Sequence, residues 1–202
     1  MQRFDARTAL IVVDVQNDFA DPKGSLSVAG GEATIPVVNR VAWAAIRAGA
    51  FVVYTQDWHP AHTPHFAQDG GIWPVHCLGG AWGSAFHPAL EVIGPSVQKG
   101  ANGEDGYSGF TMRDPATNKE LPTELDALLR VRGIERVLVC GLATDYCVKA
   151  TALDAVRLGY ATTVLLDGIA AVDLAPGDGE RALDELRGAG IALERSDGPG
   201  PA

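Results

Sequence analysis

The sequence predicts an α/β fold: a three-layer sandwich whose mostly parallel sheet of roughly six strands is flanked by helices. Two observations predict it. Short apolar runs alternate along the chain with segments of helical periodicity, and the apolar runs are nearly continuous, as expected of strands buried on both faces. The chain has 202 residues, 47% of them hydrophobic and 20% charged, which suits one well-cored globular unit.

Taken in order, Thr8 to Val13 (TALIVV) reads as a buried strand. Glu32 to Ala48 reads as a helix, because Ile35, Val38, Ala42, Ala45 and Ile46 recur at helical spacing before Gly49 stops it. Phe51 to Thr55 (FVVYT) is the second strand and Ser96 to Gln98 a short third. Pro122 opens and Gly133 closes a helix with Leu125, Leu128 and Leu129 on one face. A strand at Arg136 to Cys140, a helix at Asp145 to Leu158 and a strand at Ala161 to Leu166 follow. A last helix near Asp178 to Arg187 and a short strand at Ile191 to Leu193 end the regular structure. Asp197 to Ala202 (DGPGPA) is expected to be a flexible tail. No repeat or break in composition divides the chain, so residues 1–202 are expected to form a single domain.

The net charge of −9 argues against nonspecific nucleic-acid binding and against an anionic membrane surface, both of which need clustered Lys and Arg. Asp14 interrupts the first apolar run too early for a signal peptide, and no stretch approaches the roughly 20 apolar residues that span a bilayer. A cytoplasmic protein is expected, with a small uncharged molecule as a compatible partner; a homo-oligomer is left open. Three cysteines, Cys77, Cys140 and Cys147, make a disulfide framework a poor reading, so each thiol is filler, ligand or nucleophile.

Between Asp57 and about Pro95 runs a long segment that carries all five histidines, three of the four tryptophans and several prolines. Loops of that length in a compact domain are usually functional or disordered, and this composition is not a disordered one.

In open parallel sheets, ligands bind beyond the carboxyl ends of the strands. The polar residues there are Asp14, then Asp57 in Asp57–Trp58–His59–Pro60, then Lys99, then Gly141 to Cys147 (GLATDYC). Cys147 lies about one turn into a helix with Thr144 as its expected N-cap, where free N–H groups and the helix dipole favour a thiolate and could hold an oxyanion. Alone it reads as a buried structural cysteine; beside Asp14 as proton acceptor and Lys99 as the charge that orders the pair, it reads as a nucleophile. Asp57-x-His59 projects two metal-type ligands from a strand end, and His76 and His65 could complete a set suited to zinc, manganese or ferrous iron. His62 and His87 read as surface-loop residues. Phe19, Trp73 and Tyr107 are either packing caps or flat walls for a planar ring. Cys77 has no second cysteine at zinc-knuckle spacing, Cys140 reads as core, and the glycine-rich loops hold no intact phosphate-binding motif.

Seven blocks in order carry a resemblance over nearly the whole chain: DVQNDF (14–19), GSLSV (24–28), DWHP (57–60), WPVHC (73–77), Lys99–Gly100, YSGF (107–110) and GLATDYCV (141–148). The chain resembles the nicotinamidases and pyrazinamidases of the isochorismatase-like cysteine hydrolases, whose fold is Rossmann-like. DWHP with WPVHC separates these from metal-free relatives. The resemblance implies a triad of Asp14, Lys99 and Cys147 and one divalent metal, zinc in the first place with iron or manganese as alternatives. The ligands would be Asp57, His59 and His76, with His65 as a variable fourth. It also implies a cis Leu142–Ala143 peptide that aims the Ala143 N–H, with that of Cys147, into an oxyanion hole. The implied activity is hydrolysis of nicotinamide to nicotinate and ammonia through a Cys147 thioester, in NAD salvage, and action on pyrazinamide as well. The ring would bind the metal through its nitrogen, between Phe19 and Trp73. The rivals are a metal-independent amidase for another small amide or ureido compound, and a noncatalytic metal- or ligand-binding protein.

Overall fold

The computed structural model of the chain describes residues 4–197. The expected tail lies outside the described residues from position 198 onward. Six strands form one parallel sheet: β1 (Thr8–Val13), β2 (Phe51–Asp57), β3 (Ser96–Lys99), β6 (Arg136–Leu142), β7 (Ala161–Ala170) and β8 (Ala192–Glu194). Their order across the sheet is β3-β2-β1-β6-β7-β8.

The side chains of β1 divide the core in two. Leu10 and Val12 pack into a cluster with Ile35, Val38, Ala42 and Ala45 of α2 (Gly31–Arg47) and Phe19 of α1 (Asn17–Ala20). Ala9, Ile11 and Val13 point the other way, toward Leu125 and Leu129 of α3 (Leu125–Arg130), Ala152 and Ala155 of α4 (Lys149–Arg157), and Leu186 of α5 (Asp178–Gly188). This is the three-layer sandwich, and each fully buried Val, Leu or Ile in it contributes about 1.5–3 kcal/mol. Among the described residues no helix is long and apolar enough to cross a membrane.

Two expectations need correction. Pro122 does not open a helix; it ends β5 (Glu120–Pro122), which pairs antiparallel with β4 (Thr111–Arg113), and α3 begins at Leu125. The polar run between these short strands carries turn-forming residues, so no alternating apolar pattern announced a hairpin. Thr144 is not an N-cap either. Ala143, in extended conformation, precedes a π-helical turn, Thr144–Val148, that leads into α4.

The chain builds β1, β2 and β3 outward in one direction and β6, β7 and β8 in the other, so the order reverses between β1 and β6. The crevice beyond their carboxyl ends is where such sheets bind ligands. Gly141 makes this junction possible. It sits at φ +110°, and a Cβ there would lie 2.1 Å from the Val13 carbonyl oxygen.

Candidate active site

Asp14 is the first residue past β1 and adopts a left-handed backbone, φ 47°, which a short polar side chain tolerates best among non-glycine residues. Its carboxylate is fully buried. Oδ1 accepts from the Thr55 hydroxyl at 2.6 Å. Oδ2 lies 3.0 Å from Lys99 Nζ but off any hydrogen-bonding direction, so this contact is a charge pair that leaves a lone pair open. Burial pushes the Asp14 carboxyl above its ordinary value, against the pull of Lys99.

Lys99 is the last residue of β3, paired in register with Asp57 at the end of β2. Its side chain is 1% exposed, and Nζ donates to Asp57 Oδ1 at 2.9 Å and lies 3.7 Å from Cys147 Sγ. Burial alone would lower the ammonium's pKa; Asp14 and Asp57 reverse this and hold it well above the lysine value. The residue is therefore a fixed positive charge shared by two carboxylates and a thiol.

Cys147 projects from the π-helical turn into the same crevice. Burial, with Asp14 and Asp57 nearby, raises its thiol well above the ordinary range despite Lys99. Desolvation thus works against the thiolate that the helix terminus favours, and Lys99 is the neighbour that offsets it. The Leu142–Ala143 peptide is cis.

Asp57 joins this triad to a second cluster. While Oδ1 faces Lys99, Oδ2 lies 2.9 Å from His59 Nε2 and 3.2 Å from His76 Nε2. With His65, these residues place four buried ligand atoms within 4.8 Å of one another. The surrounding hydrogen bonds set the tautomers. His76 Nδ1 donates to the Pro74 carbonyl at 2.7 Å, and His65 Nδ1 donates to Asp105 Oδ1 at 2.6 Å, so each ring turns an Nε2 lone pair inward. Lone pairs facing a carboxylate oxygen repel unless a positive charge lies between them, and a carboxylate with three imidazoles suits a divalent transition metal or zinc. The residues fit such an ion. Burial opposes the Asp57 charge, but Lys99 and the imidazoles hold its carboxyl well below the usual carboxylate range.

Both clusters open on one pocket of about 380 Å³ of empty space, its mouth included. Phe19, Trp73 and Tyr107 line it together with Asp57, His65, His76, Ala143 and Cys147. Trp73 Nε1 donates to the Tyr107 hydroxyl at 3.0 Å, and Tyr146 packs edge-on against Trp73 at 4.9 Å.

Several site residues escaped sequence reasoning. Leu26, Tyr146 and Val172 line the pocket, and Gln16 holds Asp57 by its backbone, accepting from its N–H at 2.8 Å and donating to its carbonyl at 2.7 Å. Tyr146 and Gln16 lie inside motifs already singled out; Val172 and Asp105 carry no sequence signal. His62 is exposed beside Asp69, but His87 is buried, its Nδ1 accepting from the Ala89 N–H, which corrects its reading as a surface residue. Cys77 and Cys140 are buried and neither joins the clusters: Cys77, next to His76, has its N–H on Asp18 and its carbonyl accepting from the His59 N–H at 2.9 Å, and Cys140 lies inside the β6 core.

Comparison with known proteins agrees with this geometry. The isochorismatase domain model matches residues 8–196. The chain is 39% identical over 204 residues to a nicotinamidase of Escherichia coli, covering 92% of this chain and 93% of that one. It is similar to the structure of pyrazinamidase of Pyrococcus horikoshii in complex with zinc, at TM-score 0.83 and 38% identity over 94% of this chain and 99% of that one. It is likewise similar to PnC1 of L. infantum in complex with nicotinate, at TM-score 0.87 and 37% identity over 96% and 95% of the two chains. The chain belongs to the isochorismatase domain family, on its nicotinamidase and pyrazinamidase side.

Proposed function

We propose that this protein hydrolyses nicotinamide to nicotinate and ammonia through a thioester on Cys147, and that pyrazinamide is a second substrate. The observation that carries the reading is the double use of Asp57, which binds Lys99 of the triad with one oxygen and faces the histidine cluster with the other, beside a single pocket. Beyond Asp57, His65, His76 and Cys147 the pocket wall is aromatic and aliphatic, and among the described residues no Lys or Arg lines it, so a neutral planar amide suits it better than an anionic ureido acid.

As nucleophile, Cys147 forms its S–C bond to the carboxamide carbon while its proton passes to Asp14. Lys99 keeps Asp14 charged enough to accept that proton and close enough to the sulfur to receive it. The Ala143 and Cys147 N–H groups hold the oxyanion. Asp14 then returns the proton to the leaving nitrogen, and ammonia departs as the C–N bond breaks. Water attacks the thioester, gives its proton through Asp14, and releases nicotinate and the restored thiol. A divalent cation on Asp57, His59, His65 and His76, zinc in the first place with iron or manganese as alternatives, supplies a Lewis acid for the ring nitrogen and for water. Phe19 and Trp73 flank the ring. A cytoplasmic location goes with this reading, supported by three cysteines that remain unpaired.

The test is ammonia release from nicotinamide and from benzamide, which has the same carboxamide but no ring nitrogen. The kcat/KM for benzamide is expected to fall at least about 100-fold below that for nicotinamide, because an acceptor for the site's polar partner is missing. Equal values would contradict recognition of the ring nitrogen.

A further inference from the structure

His65 differs from the other members of the histidine cluster in how its ring is held. Its side chain is buried, stacked at 4.8 Å on His59 and at 6.4 Å on Trp73, and among the described residues its ring hydrogen bond is the one Nδ1 donates to Asp105. Asp105 is not one of the four clustered ligands, and its side chain is 48% exposed. Its backbone, in contrast, is pinned. Its N–H donates to the Arg113 carbonyl at 2.8 Å and its carbonyl accepts from the Arg113 N–H at 2.5 Å, an antiparallel bridge to β4. Two residues later, Tyr107 reaches the pocket and accepts from Trp73, the indole stacked on His65. These contacts close a circuit from His65 through Asp105 and Tyr107 to Trp73 and back to His65.

From this circuit we infer that Asp105 is a positioning residue that fixes the His65 ring for a divalent cation, and that through it cation binding braces the pocket wall formed by Tyr107 and Trp73. The inference rests on the reading of Asp57, His59, His65 and His76 as a cation site. A carboxylate on the far nitrogen of a ligating imidazole sets its tautomer and direction, and loss of such a partner typically costs about 10–100-fold in metal affinity. The coupling to the wall follows from the short chain between Asp105 and Tyr107, since holding one limits the other.

The experiment measures zinc affinity by competition with a chromophoric chelator, and backbone hydrogen exchange over residues 101–110, for the wild type, Asp105→Ala and Asp105→Asn. Because Asp105 is half-exposed, neither substitution threatens the core. Expected are a loss of about 10–100-fold in zinc affinity for Asp105→Ala and a smaller loss for Asp105→Asn, whose amide oxygen still accepts from Nδ1. Zinc should slow exchange over 101–110 in the wild type and leave it unchanged in Asp105→Ala. A wild type that binds no zinc would overturn the cation site itself. A wild type that binds zinc with Asp105→Ala equal to it would overturn this inference alone. Equal losses in the alanine and asparagine variants would also overturn it, because the hydrogen bond would then not be what positions His65.

Discussion

Cys147→Ala is expected to lower ammonia release from nicotinamide by at least about 10⁴-fold, while nicotinamide binding stays within a few-fold of the wild type. The asymmetry follows from what the sulfur touches. It faces Lys99 and Asp14 at the floor of the pocket, whereas the contacts proposed for the ring, Phe19, Trp73 and the histidine cluster, line its walls. Removing the sulfur deletes the bond-forming atom and leaves the walls intact. Steady-state kinetics with equilibrium dialysis of nicotinamide read both quantities. Cys140→Ser provides the control, since that thiol is buried in β6 and pushed up to about 12 by burial. A Cys147→Ala protein keeping more than about 1% of the activity would contradict the thioester route, because loss of an essential nucleophile costs far more than that.

Lys99→Met is expected to destabilise the fold by about 3–5 kcal/mol as well as to abolish activity, since breaking a buried ion pair strands the remaining charge. Here two carboxylates are stranded, Asp14 and Asp57, both nearly devoid of solvent. Methionine fills the space of the lysine stem, so the loss reports charge rather than cavity. Urea unfolding at a fixed zinc concentration measures it, because bound metal otherwise shifts the apparent stability. A loss below about 1 kcal/mol would mean that the two carboxylates do not depend on the ammonium, which would contradict the electrostatic account of the triad.

Much of this site was legible because the fold class carries its own address. Once the apolar runs were read as parallel strands, the residues after them had to meet, which collected Asp14, Asp57, Lys99 and Cys147 from four separate segments. What the sequence did not disclose is how they join. That Asp57 serves Lys99 and two histidines at once depends on the Asp57–Lys99 register, a property of strand pairing. The burial of the Cys147 thiol was out of reach for a related reason: a helix terminus is visible in sequence, but the depth at which it sits is not. Val172 and Asp105 arrive from loops whose paths are set by backbone bridges and carboxylate contacts, such as Asp145 accepting from the Val172 and Asp173 N–H groups. His87 looked like a surface residue for the same reason. The hairpin of β4 and β5 was missed because two three-residue strands, the second ending in proline, have no period to detect.

The most direct test of the whole account is ammonia release from nicotinamide by the zinc-loaded wild type, then after chelation, then after zinc is restored. Robust release, a loss of at least about 100-fold on chelation and recovery with zinc are expected if the cation cluster and the thiol form one site. No ammonia from the fully metallated protein, or an undiminished rate after the metal is removed, would contradict it.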